Sequence, residues 1–380
     1  MIIMLLGTHL YLTFRLRFPQ RMIFTAIRLS VKKDPDASGD VSQFHSLATA
    51  LAATIGTGNI VGMATAIALG GPGAVLWCWL TGVFGISTKY AEGLLAIKYR
   101  VKGADGKMQG GPMYALERGL GWKWLAVLFA FFTAIASFGI GNMVQANAIS
   151  TVTAESYQIS PYLTGAVICI LTALVVIGGV KSIARVCGML VPFMAFFYVV
   201  GCIIILIINS SFIWPALKLI CVSAFTPTAA GGGFIGATVM TAARFGIARG
   251  LFSNEAGMGS TPHAHALAKV KTPHEQGTIA MFGAFFDTFI ILTLNALVII
   301  STMYTPDGLL ANGYFGEVTE VLNKTNLVQS SFGSVFGESL GAIFVAVCLM
   351  FFAFSTILSL NFFGKINKLY LFGKKHPKIA

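Results

Sequence analysis

Charge is what this chain has least of: 11% of its 380 residues are charged, against 56% hydrophobic, and the mean hydropathy is +0.79. A soluble domain carries about 25% charged residues, so an ordinary water-facing surface is excluded and the chain reads as an all-α polytopic membrane protein. Cysteine is sparse too. The six (Cys78, Cys169, Cys187, Cys202, Cys221 and Cys348) have no CxxC spacing and lie mostly in apolar stretches, which favours small core residues over disulfides or metal ligands. His263 and His265, two apart, would point to different faces of a helix. There is no P-loop and no Gly-x-Ser-x-Gly elbow, so a membrane enzyme is disfavoured and no cofactor is expected. The net charge of +12 is spread over short loops, a poor footprint for nucleic acid and compatible with contact to anionic membrane lipid.

What is present is a series of apolar stretches of about 18 residues or more, the length of a membrane-spanning helix. They cover 44–69, 73–97, 124–154, 162–178, 187–209, 231–268, 277–303 and 338–363. The opening stretch 1–14 reaches only about two thirds of the roughly 30 Å hydrocarbon core and reads as a partial extra helix. It does not read as a signal peptide, since no basic residue precedes the apolar run and no small-x-small site follows. Basic residues mark the cytoplasmic side of short loops. Arg15, Arg17, Arg21, Arg28, Lys32 and Lys33 precede the first span; Lys98, Arg100, Lys102, Lys107, Arg118 and Lys123 follow the second. Lys181, Arg185, Lys269, Lys271 and the tail lysines Lys365, Lys368, Lys374, Lys375 and Lys378 continue the alternation. The opposite loops hold Glu155, Lys218, Asp307, Glu317, Glu320 and Lys324. That alternation supports the span count, with 231–268 as one crossing, and the expected location is the cytoplasmic (inner) membrane, multi-pass.

Two spans carry interruptions. Gly56-Thr57-Gly58-Asn59 breaks 44–69, and Gly246, Gly250, Gly257, Gly259 and Pro262 punctuate 231–268. Unpaired backbone in hydrocarbon costs several kcal/mol, so non-helical chain at that depth persists only around a cavity or an ion. Secondary transporters grip solutes with such half-helix ends, one in each half of an inverted repeat. Close packing of small residues is the competing explanation, but a packing motif has no use for Thr-Gly-Asn in that order.

The stretches "LAATIGTGNIVGMATAIALGGPGAVLWCWLTGVFGISTKYAEGLLAIKYR", "GGPMYALERGLG", "ASFGIGNMVQANAIS", "GGVKSIARV" and "RGLFSNEAGMGSTPHAHA" resemble the alanine or glycine:cation symporter family, also called sodium:alanine symporters. That resemblance spans nearly all of 44–364. It implies an inverted-repeat, leucine-transporter-like fold with two broken helices in one transmembrane domain: an extra span, a first five-helix repeat over 44–209 and a second over 231–363. It also implies a chain that ends at Ala380 short of two core helices, apparently truncated. Ser359-Leu360-Asn361-Phe362-Phe363-Gly364 departs from the Gly-Trp-aromatic pattern of relatives.

By that resemblance the function is sodium-coupled symport of a small neutral amino acid, alanine or glycine, by alternating access. A cation-independent exchanger and an inactive truncated remnant are the alternatives, and a channel is disfavoured because its polar rings would follow one continuous pore. A zwitterion needs acceptors for its ammonium and donors for its carboxylate. Gly56, Thr57, Gly58 and Asn59 offer both, and the restarting half-helix favours an anion. Gln145 and Ile149 share a helix face with Asn142; Gln145 either faces substrate or bonds a neighbouring helix. Phe252 is a pocket wall or a core residue. For Na⁺ the resemblance implies the carbonyls of Ala52 and Ile55 with the hydroxyls of Ser355 and Thr356, although such hydroxyls also bond their own helix backbone. Among the intramembrane charges, Lys89 and Glu92 form an (i, i+3) couple. Glu255 stabilises the second break or pairs with Arg249, and Asp287 is a candidate relay or gate partner.

Overall fold

The computed structural model describes residues 2–32, 36–103, 106–226, 235–306, 308–310 and 324–373. Lys33, Asp307, Glu317, Glu320, Lys374, Lys375, Lys378 and the expected start of the second repeat at 231 lie outside them. Helices α1 (Ile2–Arg15) and α2 (Ile23–Val31) precede the first broken segment, α3 (Gln43–Thr54) and α4 (Met63–Gly70). Helix α5 (Ala74–Lys98) leads through a hairpin, β1 (Val101–Lys102) antiparallel to β2 (Met108–Gln109), to the short α6 (Pro112–Gly119). Then come α7 (Lys123–Ala136), α8 (Val144–Tyr157), α9 (Pro161–Ile177), α10 (Gly179–Ile208) and α11 (Ser210–Ser223). The second half holds α12 (Ile235–Asn254), α13 (Pro262–His265), α14 (Pro273–Phe285), α15 (Thr293–Met303), α16 (Lys324–Phe336) and α17 (Glu338–Phe372).

Among the described residues, four continuous helical stretches are long and apolar enough to cross a membrane: Lys123–Ala154, Gly179–Ile208, Pro273–Met303 and Glu338–Phe372. The pair α3 and α4 adds a span bent by 49°. Wider π-helical turns at Ser137–Met143 and Phe286–Leu292 join α7 to α8 and α14 to α15. Such turns release carbonyls from the regular ladder and concentrate at functional sites. Helix starts follow local chemistry. Ser42 accepts from the His45 N–H to cap α3, and Thr272 with Glu275 forms a capping box ahead of Pro273. Helices α2, α11 and α16 were not among the apolar spans. They have 9, 14 and 13 residues, too short for an 18-residue apolar window to register.

Helix α5 is the hub, packed against α1, α12 and α14. Its glycines permit this. A Cβ on Gly93 would fall 2.6 Å from the Ala280 Cβ and 2.8 Å from the Gln276 carbonyl, so backbone approaches backbone as small residues allow in membranes.

The two broken segments are also laced together at the end of the bundle that carries the basic loops. Val41 pairs in parallel with Ala268, with Asp40 N and Val41 N donating to Leu267 O and Lys269 N to Val41 O. Arg100 clasps this seam, Nη1 donating to Ala266 O (3.0 Å) and Ala268 O (2.8 Å), and Nη2 to Ser38 O and Oγ (2.9 Å each).

Because the α5–α14 contact has no spare volume at Gly93, Gly93→Leu is expected to cost at least the ~1–3 kcal/mol of an overpacked core and to lower the yield of monodisperse protein. Gly7→Ala, with nothing within 4 Å of the added Cβ, should leave that yield unchanged; size-exclusion chromatography of both variants reads the difference.

Candidate functional site

The first break begins where Ile55 leaves helical geometry (φ −84°, ψ 89°). Gly56 N, now without a helical partner, donates to Asn59 Oδ1 (3.0 Å), and Asn59 N returns a bond to Gly56 O (3.2 Å). The chain restarts in a π-helical turn, Gly58–Gly62. Two carbonyls of this turn are gathered by one side chain: Asn295 Nδ2 donates to Asn59 O (2.7 Å) and to Ile60 O (3.0 Å), which also accepts from the Met63 N–H.

Asn59 has a second task. Its Nδ2 donates to Asp287 Oδ1 (2.5 Å), and Ser253 Oγ on the last turn of α12 donates to both oxygens of the same carboxylate (3.1 and 2.9 Å). Asp287 is fully buried, and so is Asn59. One carboxylate therefore ties the two breaks together at depth.

The second break follows Asn254. Glu255, Gly257 and Gly259 all have left-handed backbone (φ 52°, 82° and 75°), which costs little at the two glycines and is unusual at Glu255. Glu92 Oε1 on α5 accepts from Gly257 N (3.1 Å) and Gly259 N (3.0 Å). Lys89, 3.6 Å from Glu92 Oε2, donates to Thr261 Oγ1 (2.8 Å). Glu255 receives Ser260 Oγ and so stabilises the unwound segment, while Arg249 lies over the Phe252 ring at 5.9 Å. His263 donates from Nδ1 to Ser260 O and accepts at Nε2 from Asn367; His265 pairs with Gln276.

Between the breaks lies a cavity of about 300 Å³. Of the residues singled out from the sequence, Gly56, Gly58, Gln145, Phe252 and Thr356 line it; Thr57, Asn59 and Ile149 do not. Both glycines are required by close approach. A Cβ on Gly56 would sit 2.7 Å from Thr356 Oγ1, and one on Gly58 would sit 3.3 Å from the Phe252 ring. Gln145 is buried, and its Oε1 has no hydrogen-bond partner. Ile149 packs instead with Ala353 and Ile357.

Beside the cavity, oxygen atoms of α3 and α17 converge. Thr356 Oγ1 and Ser355 Oγ lie 3.0 and 3.5 Å from Ala52 O, and each also bonds Phe352 O in its own helix. Both hydroxyls are thus within hydrogen-bond reach of the carbonyl beside the break. Ile55 is wholly buried, and its ψ of 89° swings its carbonyl off the helix axis.

Ser253, Asn295 and the role of Asp287 as a tie were not legible beforehand. The one available signal was Asp287 and Asn295 spaced eight apart, about two turns, on a single apolar helix. Removing either amide strands buried groups at ~1–3 kcal/mol each. Asn59→Ala and Asn295→Ala are thus expected to lower the thermal midpoint by several degrees, and a midpoint equal to wild type for both would show that the struts carry no load.

A profile of the sodium:alanine symporter family matches residues 1–380. The sodium/alanine symporter AgcS of Methanococcus maripaludis is 46% identical over 382 residues, covering 99% of this chain and 81% of that protein. An uncharacterized transporter of Haemophilus influenzae is 46% identical over 381 residues, with 100% of this chain and 81% of its own length covered. The uncharacterized transporter YflA of Bacillus subtilis is 40% identical over 379 residues, with 98% and 78% covered. These relatives are transporters rather than enzymes, and together with the several apolar helices they make this a multi-pass membrane protein. The chain belongs to the sodium:alanine symporter family.

Proposed function

We propose that this chain carries a small neutral amino acid, alanine or glycine, together with Na⁺ across the cytoplasmic membrane by alternating access. The observation that carries the reading is Gln145 Oε1, a buried acceptor without a donor, in the wall of a cavity that the broken backbone at Gly56 and Gly58 also lines. A buried acceptor left unpaired costs free energy, and a substrate ammonium supplies the missing donor. The half-helix that restarts at Gly58 presents N–H groups suited to the carboxylate. At about 300 Å³ the cavity is at the small end of ligand pockets, which favours a short side chain.

Na⁺ would sit among Ala52 O, Ile55 O, Ser355 Oγ and Thr356 Oγ1, its inward movement gaining about 2.3 kcal/mol per charge per 100 mV. Thr356 Oγ1 both lines the cavity and bonds Ala52 O, which would couple cation to solute. An inverted repeat, 44–209 against 231–363, is supported by a broken helix near the start of each half. Alternating access is supported by the Arg100 clasp, which closes the end with the basic loops through backbone bonds that a rocking motion can break and remake. The polar groups cluster at the two breaks rather than along a pore, which disfavours a channel.

Proteoliposomes loaded with the purified protein are expected to take up labelled alanine several-fold faster under an inward Na⁺ gradient; uptake indifferent to the gradient would mean cation-independent exchange. Gln145→Leu should weaken alanine binding at this site by at least a hundredfold, equivalent to about 2.8 kcal/mol, with folded yield intact. Ser355→Ala should raise the Na⁺ concentration needed for half-maximal uptake. Unchanged alanine affinity in Gln145→Leu would place the pocket elsewhere.

A further inference from the structure

A second cavity, of about 440 Å³, lies between α5, α6, α7 and the second break. It is not separate from the first: the side chains of Phe129 and Met258 line both. The Phe129 ring rests against the break itself, since a Cβ on Gly259 would come within 3.1 Å of it. Two flexible side chains, one aromatic and one thioether, are thus the partition between a central chamber and an outer one. Methionine with its three rotatable bonds swings aside readily.

Each chamber also has a carboxylate in its wall: Glu255 in the first and Glu92, whose Oε2 lies 3.6 Å from Lys89 Nζ, in the second. Lys89 directs its hydrogen bond to Thr261, not to either acid. Glu92 Oε1 is saturated by Gly257 N and Gly259 N, but Oε2 is buried and accepts no hydrogen bond, with Lys89 Nζ at 3.6 Å. The remainder of the outer chamber is apolar, with Leu95, Ala115 and Leu116 among its walls.

We infer that the outer chamber is a transit site for the solute's primary ammonium group, held at Glu92 Oε2 after it leaves Gln145 and passes the Phe129–Met258 partition. The ammonium meets an acceptor at each stage: the Gln145 amide in the centre, Glu255 at the partition, Glu92 beyond it. The chamber's lining holds a single neutral side-chain donor for the carboxylate, the Tyr99 hydroxyl, and no cation. Occupancy there is therefore weaker than in the centre, as release requires. The inference rests on the central cavity being an amino-acid site.

Equilibrium binding of labelled alanine to the purified protein in saturating Na⁺ tests it. Wild type is expected to bind in two classes, one tight and one at least tenfold weaker, approaching two equivalents per chain. Ala115→Trp, which fills the outer chamber far from Gln145, should remove the weak class and leave the tight one. Glu92→Gln keeps an oxygen for Gly257 and Gly259 but loses the charge. It should weaken the second class by tenfold or more, and it decides the matter should the tryptophan variant elute as aggregate. Gln145→Leu should remove the tight class alone. A single class in wild type, lost in Gln145→Leu and untouched in Ala115→Trp and Glu92→Gln, would overturn the transit site while leaving the central site standing. No alanine bound by any of the proteins would overturn both.

Discussion

The rest of this structure depends on how two stretches of backbone are kept non-helical at membrane depth. Peptide groups released from a helix in hydrocarbon must find partners within the protein, and here a few polar side chains supply them. Asn59 takes the Gly56 N–H, Asn295 takes two carbonyls, and Glu92 takes two N–H groups of the second break. Asp287 then joins the breaks through Asn59 and Ser253. With the broken segments held apart from regular helix, a cavity can exist between them.

The division of labour within GTGN follows from that constraint. The glycines face the cavity because a side chain there would collide with Thr356 or Phe252. Asn59, the most polar member, is spent on the scaffold and lines no part of the cavity. The polar contact left available is Gln145, one helix away. Gln145 Oε1 is the unpaired buried acceptor in the wall of the chamber, whereas the Asn59 and Asn295 amides hold the break, so the groups that shape the chamber are separate from the group that waits for a solute. The oxygens around Ala52 belong to the same economy, since Thr356 reaches both the cavity and the carbonyl beside the break.

Much of this was legible in advance, for identifiable reasons. Hydrophobic length and alternating basic loops report on partitioning between water and lipid, a property local to each segment, so the spans and the interruption at Gly56 to Asn59 could be read directly. Pairings between distant segments could not. Lys89 and Glu92 read as a local couple, and they are one, but their hold on residues 257–261 needs α5 to lie beside the second break. Ile149 shares a helix face with Gln145 by spacing, yet it lies one turn further along α8, where α17 packs against it, so Gln145 lines the chamber and Ile149 meets Ala353 and Ile357.

The amino-acid sequence alone determined the class of molecule, the segments that enter the membrane, the position of the first break and, through its motifs, the family, because each depends on composition and short-range order. Which amide is strut and which is contact, where the oxygens of α3 and α17 meet, and that a second chamber adjoins the first were decided by the tertiary structure. Those properties arise from groups hundreds of residues apart, Asn59 with Asp287 and Asn295, Ala52 with Thr356. A hydrogen bond requires its atoms within about 3 Å, a condition that only the packed helices can impose.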